Sequence, residues 1–206
     1  MSLLLLARHG NTFGPEDPVV WVGAKEDLPL VKSGEAQAAA FGEALREQSV
    51  APARLVSGPL KRTRRAAEIV KAITMSDADI EIDARLTEID YGRWGGKTDA
   101  EISAAFGPEA IPDWRERHKR PENAGWSPDD QTLKSNALGV LGGMTSGGFP
   151  ALVITSNGIL RYFHNAIGFK GDAKVKTGHV CAARLSERGW TPLFWNQPPE
   201  TLPELS

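Results

Sequence analysis

Two short stretches of the chain are apolar without interruption, Leu3-Leu4-Leu5-Leu6-Ala7 and Ala151-Leu152-Val153-Ile154. The first stops at Arg8-His9-Gly10 and the second runs out through Thr155 into Ser156-Asn157-Gly158. Such runs predict strands buried on both faces, which belong to parallel sheets covered by helices. Arg54-Leu55-Val56, ending in Ser57-Gly58-Pro59, and Ile80 to Ile82 read as two further short strands. Between the strands the apolar period changes to that of a helix. Ala36, Ala40, Phe41, Ala44 and Leu45 form a stripe after Ser33-Gly34-Glu35, which can start a helix. Ala66, Ile69, Val70 and Ile73 form another after Leu60, and Ile159, Leu160, Phe163, Ala166 and Ile167 a third after Asn157. Asp130 to Gly142 predicts one more helix, closing at Gly142-Gly143. The chain then alternates through Val175 to Leu185, turns at Glu187-Arg188-Gly189 and returns through Trp190 to Trp195, which predicts a hairpin.

Two segments lack this order. Asn11 to Pro29 is rich in Gly, Pro and Asp and reads as a loop over the first strand's end. Residues from about 98 to 131 are broken by Pro108, Pro112, Pro121 and Pro128 and read as an irregular cap insertion. Within it Trp114, Arg115, Arg117, His118, Lys119 and Arg120 form a basic and aromatic patch suggesting extra negative charge, or a ring, on a ligand. Gly95-Gly96-Lys97-Thr98 ends like a phosphate-binding P-loop, but the glycine that motif requires earlier is Tyr91, so no nucleotide site is read there.

With 206 residues and 41% hydrophobic content the chain suits one α/β domain over 1–206. Its 24 basic and 26 acidic residues leave a net charge of -2, which argues against nucleic acid or an anionic membrane as partner. The leading leucines lack a basic flank and are interrupted by Arg8, so they do not read as a signal peptide, and no apolar run is long enough to span a bilayer. A single cysteine, Cys181, fits a reducing compartment, and the expected location is the cytoplasm. The four histidines, His9, His118, His164 and His179, show no metal-ligand spacing, so neither metal nor cofactor is expected.

Three strand-to-helix junctions carry chemistry: Arg8 with His9, then Arg62, then Asn157. Strand ends of one sheet converge, and ligands of open α/β sheets bind in the crevice beyond them. Two guanidinium groups and a helix N-terminus together suit a phosphate. A histidine beside them can attack phosphorus as neutral imidazole, a form the neighbouring arginines favour. Arg64 and Arg65 read instead as a solvated basic face, and His164 and His179 as structural or surface residues.

The same residues resemble the histidine phosphatase superfamily, also called the phosphoglycerate mutase-like family. Its Arg-His-Gly-x-Thr opening is matched by Arg8 to Thr12. Trp21 to Gly23, Pro29-Leu30, Gly34 to Ala38 and Ser57-Gly58-Pro59-Leu60-Lys61-Arg62 match further segments, and Leu86 to Trp94 resembles the stretch carrying the family's acid. The resemblance implies a three-layer α/β/α sandwich with a mostly parallel central sheet. It also implies a phosphatase acting on small phosphorylated metabolites through a phosphohistidine on His9. In that scheme Arg8 and Arg62 hold the phosphoryl oxygens, or those of phosphate or sulfate in the pocket, Asn11 lines it, and Glu88 is the acid. Glu88 is therefore expected to be semi-buried with a raised pKa. One position departs from the family: its Ser-His-Gly is Ser156-Asn157-Gly158 here. Asn157 keeps an amide donor without the option of charge and also suits a helix N-cap, so capping alone and capping with phosphate contact are both open. The alternatives are a phosphate-ligand-binding protein with impaired turnover and a mutase-type phosphotransferase.

Overall fold

The computed structural model describes residues 2–205. The uninterrupted apolar runs form the inner strands β1 (Leu3–Arg8) and β4 (Ala151–Thr155), which pair in parallel with Arg8 opposite Thr155. Parallel strands β2 (Arg54–Ser57) and β3 (Ile80–Ile82) extend the sheet on one side, while β5 (Val180–Ser186) and β6 (Gly189–Gln197) form an antiparallel hairpin on the other. The order is β3-β2-β4-β1-β5-β6.

Because strand side chains alternate, each apolar strand feeds two cores. Leu3, Leu5, Ala7, Leu152 and Ile154 pack with Ala38, Phe41 and Leu45 of α1 (Lys32–Glu47) and Ala66, Ala67 and Val70 of α2 (Lys61–Thr74). Leu4, Leu6, Val56, Ala151 and Val153 face α5 (Asp130–Gly143) and α6 (Asn157–Ile167). The result is the expected three-layer α/β/α arrangement.

The cap stretch is more regular than its prolines suggest. It holds two eight-residue helices, α3 (Asp99–Phe106) and α4 (Ala110–Arg117). Thr98 and Glu101 close a reciprocal capping box at the start of α3, so Lys97-Thr98 serves a helix start. Trp21, Tyr91, Trp94, Trp114 and Trp126 stack edge to face with centroids 4.8–5.0 Å apart, joining the cap to the loop above β1.

The hairpin starts later than the alternation predicts. Residues 175–179 form a loop, and pairing begins at Val180 opposite Ala7. The helix after Val31 begins at Lys32 without a side-chain cap, so Ser33 lies inside it. Among the described residues no helix is long and apolar enough to cross a membrane.

Candidate active site

At the carboxyl ends of β1, β2 and β4 lies a cleft of about 790 Å³ lined by Arg8, His9, Asn11, Arg62, Glu88 and Asn157, the six residues singled out from the sequence. The strand register delivers them. His9 donates its backbone N–H to Thr155 at 3.1 Å, which levels the ends of β1 and β4. The turn after His9 seats directly on α1: a methyl group on Gly10 would lie 2.2 Å from the Gly34 carbonyl oxygen, so both positions need glycine for the close approach.

His9 is 6% exposed. Its Nδ1 lies 2.7 Å from the Gly10 carbonyl oxygen, and Arg62 Nε lies 3.2 Å from its Nε2. A carbonyl can only accept and a guanidinium only donate, so Nδ1 carries the hydrogen and Nε2 a lone pair. Burial, with Arg8 and Arg62 alongside, holds the imidazole well below its ordinary pKa of 6.5, which keeps that lone pair available at neutral pH.

Arg62, in the first turn of α2, is 1% exposed. Its Nη1 donates to the Glu26 carbonyl at 3.0 Å and its Nη2 to the Gly23 carbonyl at 3.1 Å, so the Gly- and Pro-rich loop wraps the start of α2. Asp27 accepts the Lys61 backbone N–H at 2.7 Å and supplies the negative charge that this basic helix start lacks. Arg64 and Arg65 are exposed, with Arg65 paired to Glu35, as expected of a solvated face. Arg8 donates Nη1 to the Val175 carbonyl at 2.7 Å, and its Nε is buried without a protein partner. The site thus keeps guanidinium donors free.

Glu88 is more deeply buried than expected, at 5% exposed. Thr155 Oγ1 donates to the Leu86 carbonyl at 2.8 Å, tying this segment to the end of β4. Burial raises the Glu88 pKa, opposed by the backbone N–H groups of Ile89 and Gly158, 2.9 and 3.2 Å from its oxygens, and by Arg62 and Arg8. Desolvation wins, which suits an acid that holds its proton. Tyr91, also buried, lies alongside and has its own pKa pushed well up by burial and by Glu88.

Asn157 does not cap α6. Ser156 occupies the N-cap position without a side-chain cap bond, and Asn157 is the first helical residue. Its Oδ1 accepts the Val175 N–H at 2.8 Å. The capping expectation fails because that oxygen is already engaged by the 172–177 loop. Asn11 Oδ1 accepts from Thr177 Oγ1 at 2.5 Å.

The cap's basic patch is largely neutralised within the cap. Arg115 forks onto Asp99 at 2.6 and 3.0 Å, Arg117 pairs with Glu109 and Asp113, and Lys119 with Asp113. Of the patch only Trp114 and Arg115 line the cleft. Sequence reasoning missed Tyr91, Arg161, Lys174 and Thr177, which also line it. Arg161 stands one helical turn after Asn157, a signal the apolar stripe of α6 obscured. Its Nη1 and Nη2 donate to the carbonyls of Trp114 and Arg115 at 3.4 and 3.2 Å, fastening the end of α4 to α6. His164 is buried against Phe169 and Trp195, and His179 meets the Asn196 carbonyl at 2.9 Å, so both are structural. Among the described residues no group of three or more His, Cys, Asp or Glu stands placed to hold a metal ion.

Comparison with known proteins bears on the fold and the family. Against solved structures the chain superposes on a mycobacterial glucosyl-3-phosphoglycerate phosphatase complexed with VO3 (TM-score 0.77, 21% identity, 95% of this chain and 99% of that one). It also superposes on the alpha-ribazole phosphatase of Shigella flexneri (TM-score 0.73, 19% identity, 95% and 96%). At these identities the likeness is one of fold. By sequence it is 33% identical over 138 residues to a 2,3-bisphosphoglycerate-dependent phosphoglycerate mutase of Bifidobacterium longum (strain DJO10A), covering 65% of this chain and 53% of that one. It is 30% identical over 141 residues to a mutase of the same description, numbered 2, from Gloeobacter violaceus, covering 67% and 59%. The chain spans about half the length of the curated relatives it matches. The family model described as histidine phosphatase superfamily (branch 1) matches residues 4–198, nearly the whole chain, and the protein belongs to that superfamily.

Proposed function

We propose that this chain is a phosphatase that hydrolyses small phosphorylated metabolites through a phosphohistidine on His9, without help from a metal. The observation that carries this reading is the His9 imidazole, with its Nε2 lone pair turned toward Arg62 and a buried carboxylic acid, Glu88, lining the same cleft. Nε2 attacks phosphorus as the ester P–O bond breaks, and the leaving oxygen takes the Glu88 proton. Water then attacks the phosphohistidine, giving its proton to the Glu88 carboxylate as the P–N bond breaks, which releases phosphate and restores both groups. Arg8 and Arg62 hold the phosphoryl oxygens and offset their charge, joined by the Asn157 amide and the N-terminus of α6, while Asn11 lines the approach. The names of the structural neighbours, both phosphatases, support net hydrolysis. The mutase relatives point to transfer between hydroxyls, which would leave no net phosphate release. Buried Cys181 as the single thiol fits a cytoplasmic setting.

A second reading, a phosphate-ligand-binding protein with impaired turnover, draws on one observation: Asn157 spends its oxygen on Val175 and retains at most an amide donor for the ligand. Phenyl phosphate separates the two. Turnover by the native protein that His9→Ala abolishes upholds the phosphatase. Turnover by Asn157→His alone upholds the binding protein. A panel of phosphorylated metabolites then identifies the substrate.

A further inference from the structure

Val175 is fully buried and held from both sides. Its N–H donates to Asn157 Oδ1 at 2.8 Å, and its carbonyl accepts Arg8 Nη1 at 2.7 Å. Among the described residues that carbonyl is the one hydrogen-bond acceptor the Arg8 guanidinium meets. The surrounding loop is stitched to the same stretch of chain: Gly178 N–H to the His9 carbonyl at 3.2 Å, Arg8 N–H to the His179 carbonyl at 3.1 Å, and Thr177 to Asn11. The first two fix the backbone of Arg8 and His9, and the third holds the Asn11 side chain. The orientation of the Arg8 fork depends on where Val175 sits, and the side chain fixing Val175 comes from the first turn of α6.

We propose that Asn157 is a positioning residue that orients the Arg8 guanidinium through Val175, beyond any direct contact of its own with a ligand. The inference rests on the reading of the cleft as a phosphoryl site. An acceptor is what the position requires. Aspartate keeps one at nearly the same place, leucine fills the volume without one, and a protonated histidine has none to offer.

Two measurements test this. In the ligand-free protein, side-chain NMR of the Arg8 Nε–H follows its exchange with solvent. Asn157→Leu and Asn157→Ala raise that rate about tenfold or more while Asn157→Asp stays within about twofold, because the first two, unlike in size, share the loss of the acceptor that the third keeps. In calorimetry with inorganic phosphate, Asn157→Leu and Arg8→Lys each weaken binding about tenfold. The further loss that Asn157→Leu causes in the Arg8→Lys background is then at least about threefold smaller than its loss in the native protein, the non-additivity of two residues acting as one unit, with any direct amide contact accounting for the remainder. Asn157 is partly exposed at a first helical position, so Asn157→Ala keeps the fold and near-ultraviolet circular dichroism verifies it. Unchanged Arg8 exchange in the leucine and alanine variants, or additive losses in phosphate affinity, overturns the proposal. Failure of the native protein to bind phosphate sinks the phosphoryl reading, while the Arg8 exchange still decides the coupling.

Discussion

At the scale of single residues, the site is an arrangement of protons. His9 is held neutral and Glu88 is pushed toward its protonated form by the same cause, removal from water, acting on a base in one case and an acid in the other. The proposed reaction needs both neutral forms, so kcat/KM is expected to fall at low pH when His9 gains a proton and at high pH when Glu88 loses one. The acid limb lies below the ordinary histidine value of 6.5, and the alkaline limb above the ordinary glutamate value of 4.5. A pH–rate profile measures both, and in Glu88→Gln the alkaline limb disappears while kcat drops by about 100-fold or more. If that limb survives in the variant, Glu88 is not the acid. Gly158 supplies a second test. A methyl group there would lie 2.2 Å from Glu88 Oε1 and 2.8 Å from the Tyr91 hydroxyl. Gly158→Ala therefore displaces the acid and lowers kcat by about 100-fold, with a stability loss of about 1–3 kcal/mol by denaturant titration. His9 and Arg62 were legible in the sequence because their types and junctions suit a phosphoryl site, and Glu88 because its segment resembles the one that carries the family's acid. The bond between Asn157 and Val175 joins residues 18 apart, and no local pattern foretells it.

Secondary elements obey local rules until a neighbour intervenes. Alternation through 175–179 reads as strand, yet β5 cannot extend that far, since its partner β1 turns away after Arg8 and those residues bond to the turn instead. Asn157 reads as a cap, but Ser156 takes that place. The glycines show the same dependence. Gly142, near the end of α5, has open space around its Cβ position, so Gly142→Ala stabilises by about 0.5–1 kcal/mol through helix propensity. In α1 the same change reverses sign. Gly34→Ala would put a methyl group 2.1 Å from the Asn11 carbonyl oxygen, costing about 1–3 kcal/mol as the helix backs away from the turn after His9. Urea midpoints of the two variants, shifted in opposite directions, check the argument.

For the whole molecule the question is what makes cap and body one unit. The cap's ion pairs are exposed and screened by solvent, so they hold the cap weakly. The aromatic stack offers more, with Trp94 at its centre, fully buried and within 4.9 Å of both Trp21 and Trp126. Trp94→Ala costs about 3–5 kcal/mol and raises KM by loosening the cleft wall. The native chain unfolds in a single transition when tryptophan fluorescence and far-ultraviolet circular dichroism are compared; two separated midpoints would mean a cap that folds on its own. The sequence alone determined the buried parallel strands, the helices between them and the chemical character of three strand ends. Each of these follows from apolar periodicity and side-chain type, which are local. Only the tertiary structure decided that the cap's charges cancel one another, that Arg161 pins the cap to α6, and that Asn157 reaches Val175 instead of capping its own helix. Those outcomes depend on which donors and acceptors meet across the fold, and polar pairing between segments leaves no periodic trace in the chain.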